Sequence, residues 1–378
     1  MTDLGTTVST AHTYKDVRPH ETFIPGLELA RLFYVEAVRP LLDDACPGLP
    51  HGAALLGPGS EVLGLDTARS TDHAWGPRLQ LFLPSAERDR AELVSEMLAE
   101  RLTARFRGHP TRFVSSEEGT PMLSPDGSGR HRVEVTDLGV WLAGRLGFDP
   151  RPAPSVLDWL ATPSQLLAEV TGGAVFHDGA GELNAARDSL AWYPDDVWFF
   201  LMACQWGRIA QEEPFVGRSG ELGDDVGGAV LAARLVRDLM RLFLLQHKAY
   251  APYSKWLGSA VRRLPDGERI SAALSAVLSA GEWRLREENL CQAYALAAEH
   301  HNALGLTAEV DGSPRWFHDR PYRVVDADRF AEALHGRIAD PLVRALPRVG
   351  GFDQFVDSTD VLRDPRRARA CALAVLAP

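Results

Sequence analysis

At 378 residues the chain is long enough for two domains, each with its own core. Its 45% hydrophobic and 24% charged residues fit a globular protein, and a formal net charge of -11 speaks against non-specific adhesion to nucleic acid, which needs clustered Lys and Arg. The polar opening from Met1 to Phe23 is unlike a signal peptide, and apolar runs such as Val197–Cys204 fall far short of the ~20 residues that span a bilayer. The four cysteines, Cys46, Cys204, Cys291 and Cys371, are scattered without zinc spacing, as buried reduced thiols would be. The expectation is a cytoplasmic protein without membrane contact and without nucleic acid as partner.

Residues 1–22 read as a flexible lead-in. A helix is expected from Pro25 to about Leu42, with Leu29, Leu32, Phe33 and Ala37 as its apolar positions. Ala53–Leu56 is a short apolar run closed by Gly57-Pro58-Gly59, the pattern of a buried strand entering a turn. Leu79–Leu83 is a second strand. Ser85–Phe106 reads as one amphipathic helix with Leu93, Met97, Leu98 and Leu102 on the inner face. Arg112–Val114 and Arg132–Val135 are further strands, and Thr136–Leu146 is a helix with Thr136 as its N-cap. Past the Pro-rich stretch Pro150–Pro154 the period is helical almost throughout. Asp195–Glu213, Gly228–Tyr250, Ser271–Leu278 and Glu282–Leu304 are the clear segments, the last with Gly305 in C-cap position. The expected fold is α+β: a mixed sheet with flanking helices over residues 23–152, then a helical bundle domain over residues 153–378.

Candidate chemistry in the first half centres on the turn Gly57-Pro58-Gly59-Ser60. A glycine-rich turn can present backbone N–H groups to an anion, and a serine hydroxyl adds a donor. The segment is neither a P-loop nor a nucleophile elbow, because no Gly-Lys-Ser/Thr follows and the G-x-S-x-G frame is absent. Asp72 lies twelve positions after Ser60, just ahead of the second strand. A carboxylate there can hold Mg²⁺ against phosphates. Glu134 alternates with Val133 and Val135, so it points away from the core side of its strand. It is either a solvent-facing residue or a third acid.

Gly59-Ser60, an eleven-residue gap, and Asp72-His73-Ala74 resemble the signature of the polymerase-β-like nucleotidyltransferases, which carry Gly-Gly/Ser, a short gap, Asp-x-Asp/Glu and a third acid on a later strand. The wider text looks closer still to a poorly characterised bacterial branch with a nucleotidyltransferase-like domain of unknown function. The matching passages are Gly59–Gly64, Asp72–Leu83, Tyr193–Trp198, Gln205–Arg218, Ala232–Arg241 and Tyr250–Trp256, within about Phe23 to Arg320. The resemblance implies that Gly59 and Ser60 hold nucleotide phosphates, that Asp72 and Glu134 bind Mg²⁺, and that a nucleoside monophosphate passes from ATP or another NTP to a small-molecule acceptor with release of pyrophosphate. The pattern breaks at position 74, where the second carboxylate is replaced by Ala74. That break leaves open a silent nucleotide-binding or regulatory protein, an engineered inactivation, or compensation by another acid such as Asp66.

The helical half offers two polar stripes. Gln205, Arg208 and Glu212 recur at helical spacing, as do Arg234, Arg237, Arg241 and Lys248. Each stripe is a solvated face or a source of charge for a phosphate-bearing ligand. Gly217–Gly228 is expected as an ordered interhelical loop that presents Arg218. Lys255, between aromatics, resembles the lysine that helical domains of small-molecule nucleotidyltransferases turn toward the triphosphate, or else it snorkels at the surface. Arg208, Arg218, Arg237 and Lys255 thus join Gly59 and Ser60 as candidate nucleotide contacts. Glu288, Gln292, Glu299 and Asn302 form a further polar stripe, with His300 and His301 read as caps or surface residues. Arg241-x5-His247 also loosely fits the arginine–histidine spacing of helical RNases, a third and lesser reading.

Overall fold

The computed structural model describes residues 23–72, 75–115, 121–124 and 128–376. Its first helix pair, α1 (Gly26–Phe33) and α2 (Arg39–Ala45), is joined through the π-helical segment Tyr34–Val38. The buried positions explain that segment. Leu29, Phe33, Val38 and Leu42 are spaced four, five and four apart, and all are buried. A five-residue step leaves the apolar stripe of an α-helix, and a π turn, which closes i to i+5, absorbs it.

The sheet follows. β1 (Gly52–Leu55) leads through the glycine-serine turn and a 3₁₀ segment (Ala68–Asp72) to β2 (Arg78–Leu83). A second 3₁₀ segment (Ser85–Arg90) precedes α3 (Ala91–Arg101). The single helix expected over 85–106 is therefore only half that length. Of its expected inner residues, Leu98 and Leu102 are buried but Leu93 is 59% exposed, and Val94 takes its place. Leu93/Met97 and Val94/Leu98 are adjacent i,i+4 stripes, and the sheet selects the second. Two very short strands, β3 (Arg105–Phe106) and β4 (His109–Pro110), form a hairpin. β5 (Arg112–Ser115), β6 (Pro121–Leu123) and β7 (Arg130–Asp137) lead into α4 (Leu138–Leu146). The N-cap of α4 is Asp137, whose carboxylate accepts from Val140 N at 2.9 Å. Thr136, the expected cap, is still in the strand and pairs with Phe82.

Beyond residue 152 lie α5 (Val156–Ala161), α6 (Ser164–Thr171), β8 (Ala174–Asp178) and α7 (Glu182–Ser189). The helical bundle continues with α8 (Asp195–Glu212), α9 (Phe215–Glu221), α10 (Asp225–Gln246), α11 (Ser254–Arg262), α12 (Gly267–Ser279) and α13 (Trp283–Ala303). A small hairpin, β9 (Arg315–Trp316) and β10 (Arg323–Val324), precedes α14 (Asp328–His335) and the short closing helices. Gly305 has a φ of +63° just past α13, as a helix C-terminus favours. The expected loop 217–228 is mostly helix. α9 runs through its first residues, and Asp224 caps α10 by accepting from Gly227 N at 2.8 Å. Gly217 and Gly220 serve close packing instead, since a Cβ at either would collide with the rings of Tyr322 and Trp283. His301 is buried between Trp206 and Phe330 rather than exposed, and of the four cysteines Cys371 alone is exposed.

The six-stranded sheet has the order β6-β5-β7-β2-β1-β8, with β2 and β7 parallel and the other neighbours antiparallel. Its edge strand β8 comes from beyond the boundary expected at 152. Alternation divides the faces. Ala53, Leu79, Leu81, Leu83 and Val133 pack on Leu29, Phe33, Val94 and Leu98, so one face is covered by α1–α3. Ala54, Leu56 and Phe82 pack with Trp141, Leu142 and Leu166, so the other face meets α4, α6 and the helical half. The molecule is an α+β protein whose mixed sheet precedes a helical region.

Candidate functional site at the turn after β1

The register of the sheet sets the geometry. Ala54 pairs with Gln80, and Gln80 with Glu134, while Arg78 pairs with Arg132. These even-numbered side chains share the face turned toward the helical half. The turn 57–60 leaves β1 beside the start of β2. Gln80 pins the end of β1 by accepting from Leu56 N at 3.0 Å and donating to Leu56 O at 3.3 Å. Glu134 is exposed on this face. The turn, the residues ahead of β2, and Arg132 and Glu134 thus meet at one end of the sheet.

Two charges that sequence reasoning passed over lie beneath the turn. Arg78 donates from Nε to Glu61 Oε1 at 3.0 Å and from Nη2 to Pro58 O at 2.7 Å. Both side chains are nearly inaccessible, at 6% for Arg78 and 4% for Glu61. Gly59 has a φ of +153°, and a Cβ there would strike the Arg78 and Glu61 side chains. Its smallness first of all admits this ion pair. The turn is then tied on all sides. Gly57 N donates to Glu169 O of α6 at 2.9 Å, Leu65 N to Ser60 O at 2.7 Å, and Arg263 Nη1, just past α11, to Leu63 O at 2.8 Å. Such a cluster could have been suspected from a glutamate directly after Gly59-Ser60 and an arginine opening the next strand.

Arg132 adds a donor. Its guanidinium lies over the Phe113 ring at 5.1 Å, and its Nη1 is buried with no hydrogen-bond partner among the described residues. Burial holds its pKa below the usual arginine range, as does the neighbouring charge of Arg78, against the pull of Glu134 and Glu61. A buried N–H without a partner is the kind of group a ligand oxygen satisfies.

The other candidates are placed as follows. His73 and Ala74 lie outside the described residues, and Asp72 is described only as the end of its 3₁₀ segment. Asp66 has a structural task, since its Oδ2 accepts from Gly26 N at 2.7 Å and from Trp75 Nε1 at 3.1 Å. Among the described residues no three His, Cys, Asp or Glu groups stand close enough to hold a metal ion. Glu134 alone therefore builds no metal centre, and a Mg²⁺ site would need Asp72 and phosphate oxygens beside it. Arg208 and Asp238 form an ion pair at 3.7 Å, and Arg237 pairs with Asp357 at 3.1 Å. Arg234 pairs with Glu212 at 2.6 Å, and Gln205 is buried, donating to Asp238 O at 3.1 Å. The two polar stripes thus fasten α8 to α10 and to the C-terminal segment. Arg218 is exposed on α9, and Lys255 is exposed on α11 with Nζ 4.6 Å from the Trp256 ring. Lys255 lies eight residues before Arg263, roughly 12 Å from it along the helix. No described contact joins Arg208, Arg218, Arg237 or Lys255 to Gly59 and Ser60. Arg241 donates to Asp353 O, whereas His247 stands beside His300 with ring centroids 4.9 Å apart. Six residues apart on a helix, they point about 120° away from each other and form no catalytic pair.

The family model of a domain of unknown function, DUF4037, matches residues 159–257, which run from α5 into α11. The crystal structure of a nucleotidyltransferase-like protein from Exiguobacterium sibiricum 255-15 is similar over 82% of this chain and 90% of that one, with a TM-score of 0.31 and 13% sequence identity. Among curated proteins none matches. No helix among the described residues is long and apolar enough to cross a membrane.

Proposed function

We propose that the chain binds a nucleoside triphosphate at the turn after β1 and transfers its nucleotidyl group to a small-molecule acceptor. The observation that carries this reading is the convergence, at one end of the sheet, of the Gly59-Ser60 turn, the approach to β2 that holds Asp72, and Arg132 and Glu134. Ser60 and the unpartnered N–H of Arg132 would take phosphate oxygens. Asp72 and Glu134 would hold Mg²⁺, which when bound neutralises charge on the triphosphate. An acceptor hydroxyl or amine would attack the α-phosphorus, the new P–O or P–N bond forming as the bond to pyrophosphate breaks, and Glu134 would take the acceptor's proton. Positioning and charge neutralisation supply most of the rate in such chemistry. Ala74 favours a second reading, in which nucleotide is bound and not turned over.

The test is calorimetry with ATP and the other NTPs in the presence of Mg²⁺, combined with pyrophosphate release over a panel of metabolite acceptors, for the natural chain and for Ala74→Asp. Binding by both, with release restored or raised in Ala74→Asp, supports transfer. Binding without release by either supports the silent protein. Absence of binding in both overturns the nucleotide reading.

A further inference from the structure

The turn after β1 is closed by two peptides, and both are gripped from the helical half. Gly64 N donates to Glu61 O at 2.9 Å and Leu65 N to Ser60 O at 2.7 Å, which folds this segment back on itself. The carbonyls of the same two peptides, Leu63 O and Gly64 O, accept from Nη1 and Nη2 of Arg263, the first at 2.8 Å. One guanidinium, just past the end of α11, thus holds both closing peptides from their far side. Its planar fork of donors suits two carbonyls at once, which a lysine ammonium does not. Gly64 lies between the two peptides with a φ of +64°. Glycine lets a neighbouring peptide turn over at little cost, so this is the point where the turn most needs a lock.

The lock decides which backbone groups the turn offers. In a trans peptide the N–H lies opposite the C=O, so a tied carbonyl turns the next residue's N–H the other way. Pro58 O accepts from Arg78 Nη2 at 2.7 Å, Ser60 O and Glu61 O take the two closing bonds, and Val62 O accepts from Gly173 N at 2.8 Å. The N–H groups of Gly59, Glu61, Val62 and Leu63, on the opposite sides of those peptides, have no acceptor among the described residues. A run of N–H groups whose carbonyls are bound elsewhere favours an anion. Turning over the Leu63–Gly64 or the Gly64–Leu65 peptide would break a closing bond and set a carbonyl, with its partial negative charge, where the N–H had been.

We propose that Arg263 is a positioning residue of the phosphate turn, locking its two closing peptides so that the N–H groups of the turn stay available to a polyphosphate. It acts through the backbone of the turn, and the inference rests on the nucleotide reading given above. The grip belongs to the helical half as a unit. Gly57 N, at the start of the turn, donates to Glu169 O of α6 at 2.9 Å. The Glu169 carboxylate accepts from Gln165 Nε2 at 2.9 Å, and Gln165 Oε1 accepts from Tyr253 N, at the start of α11, at 3.0 Å. α6 therefore holds the beginning of the turn, α11 holds its end, and the two helices are tied to each other.

Arg263→Ala is compared with the natural chain and with Arg262→Ala, which removes the same charge from the adjacent exposed position and leaves both carbonyls held. The readouts are hydrogen exchange over residues 57–65, followed by mass spectrometry without ligand, and calorimetric titration with ATP and with inorganic tripolyphosphate, each with Mg²⁺. In Arg263→Ala, exchange over 57–65 should quicken about tenfold while the rest of the sheet and the thermal midpoint stay as they were. Both ligands should bind about tenfold more weakly. Arg263→Lys should resemble Arg263→Ala, and Arg262→Ala the natural chain. Unchanged exchange over 57–65 in Arg263→Ala, unchanged affinity despite faster exchange, or equal weakening in Arg262→Ala overturns the proposal. A natural chain that binds neither ATP nor tripolyphosphate overturns the nucleotide reading and the use of the turn for polyphosphate, and exchange then tells separately whether Arg263 holds the turn.

Discussion

Glu61 and Arg78 place opposite charges where water hardly reaches. Each would be costly alone, and together they hold the carbonyl of Pro58 and fix the turn that follows β1. Removing one partner strands the other. Glu61→Ala is expected to lower unfolding free energy by roughly 3–5 kcal/mol in urea titration. The double replacement Glu61→Met with Arg78→Met should cost much less, because no lone charge remains. Equal losses in single and double variants would show that the pair does not act as a unit. The sequence revealed the glycine and the serine here but not the pair, since the partners stand seventeen positions apart and only the folded turn joins them. Asp66 illustrates the same limit. As text it is one more acid near a phosphate-like turn, yet in the fold it fastens Gly26 and Trp75.

At the scale of elements, Glu213 follows the last residue of α8 and accepts from the backbone N–H groups of Val325, Asp326 and Ala327 at 2.9, 3.2 and 2.9 Å. It thereby seats the start of α14 against α8. Burial pushes its carboxyl up to about 7 from 4.5, despite the three N–H donors that pull it down. Because the folded pKa is the higher one, the folded protein binds more protons than the unfolded chain between those values. Glu213 therefore contributes most stability below about pH 4.5, loses it as pH rises toward about 7, and is level above, a change of roughly 3 kcal/mol at most. Urea unfolding from pH 5 to 8 should show that slope in the natural chain and a flatter one in Glu213→Gln. Identical slopes would refute it. Elements with strong local pattern were legible in sequence: β1 and β2 from their apolar runs, α8, α10, α12 and α13 from helical period. Those fixed by partners were not. Thr136 and Asp137 are both good caps, and only the β2–β7 register, which carries the strand on to Asp137, chooses between them. The helix α9 was hidden by its glycines, which are there to admit the rings of Trp283 and Tyr322.

At the scale of the whole molecule, the sheet and the helical half share their packing. Phe82 and Trp141 of the first belong to one continuous core with Leu166 and Phe200 of the second, and β8 closes the sheet beside β1. β8 was not legible because the five residues Ala174–Asp178, with only Val175 and Phe176 as strand formers, are set between helices, and the partner lies about 120 positions upstream. A fragment cut at residue 152 would expose both the β1 edge and the apolar face of the sheet. Residues 23–152 alone are expected to aggregate or to remain without a cooperative thermal transition, measured by size-exclusion chromatography and circular dichroism. A monomeric fragment with a sharp transition would contradict this.

The pairing of β1 with β8 also sets an order in time. During synthesis β1 emerges long before its partner, and β2 must likewise wait for β7 to take its parallel place. Closing such distant pairs costs chain entropy before any contact repays it. The edge of β1 therefore stays open until residues 174–178 have left the ribosome, about 120 residues after β1, which at 5–20 residues per second is on the order of ten seconds. That interval is when the nascent chain is most exposed to wrong partners, and when a chaperone that covers strand edges would matter most to its yield.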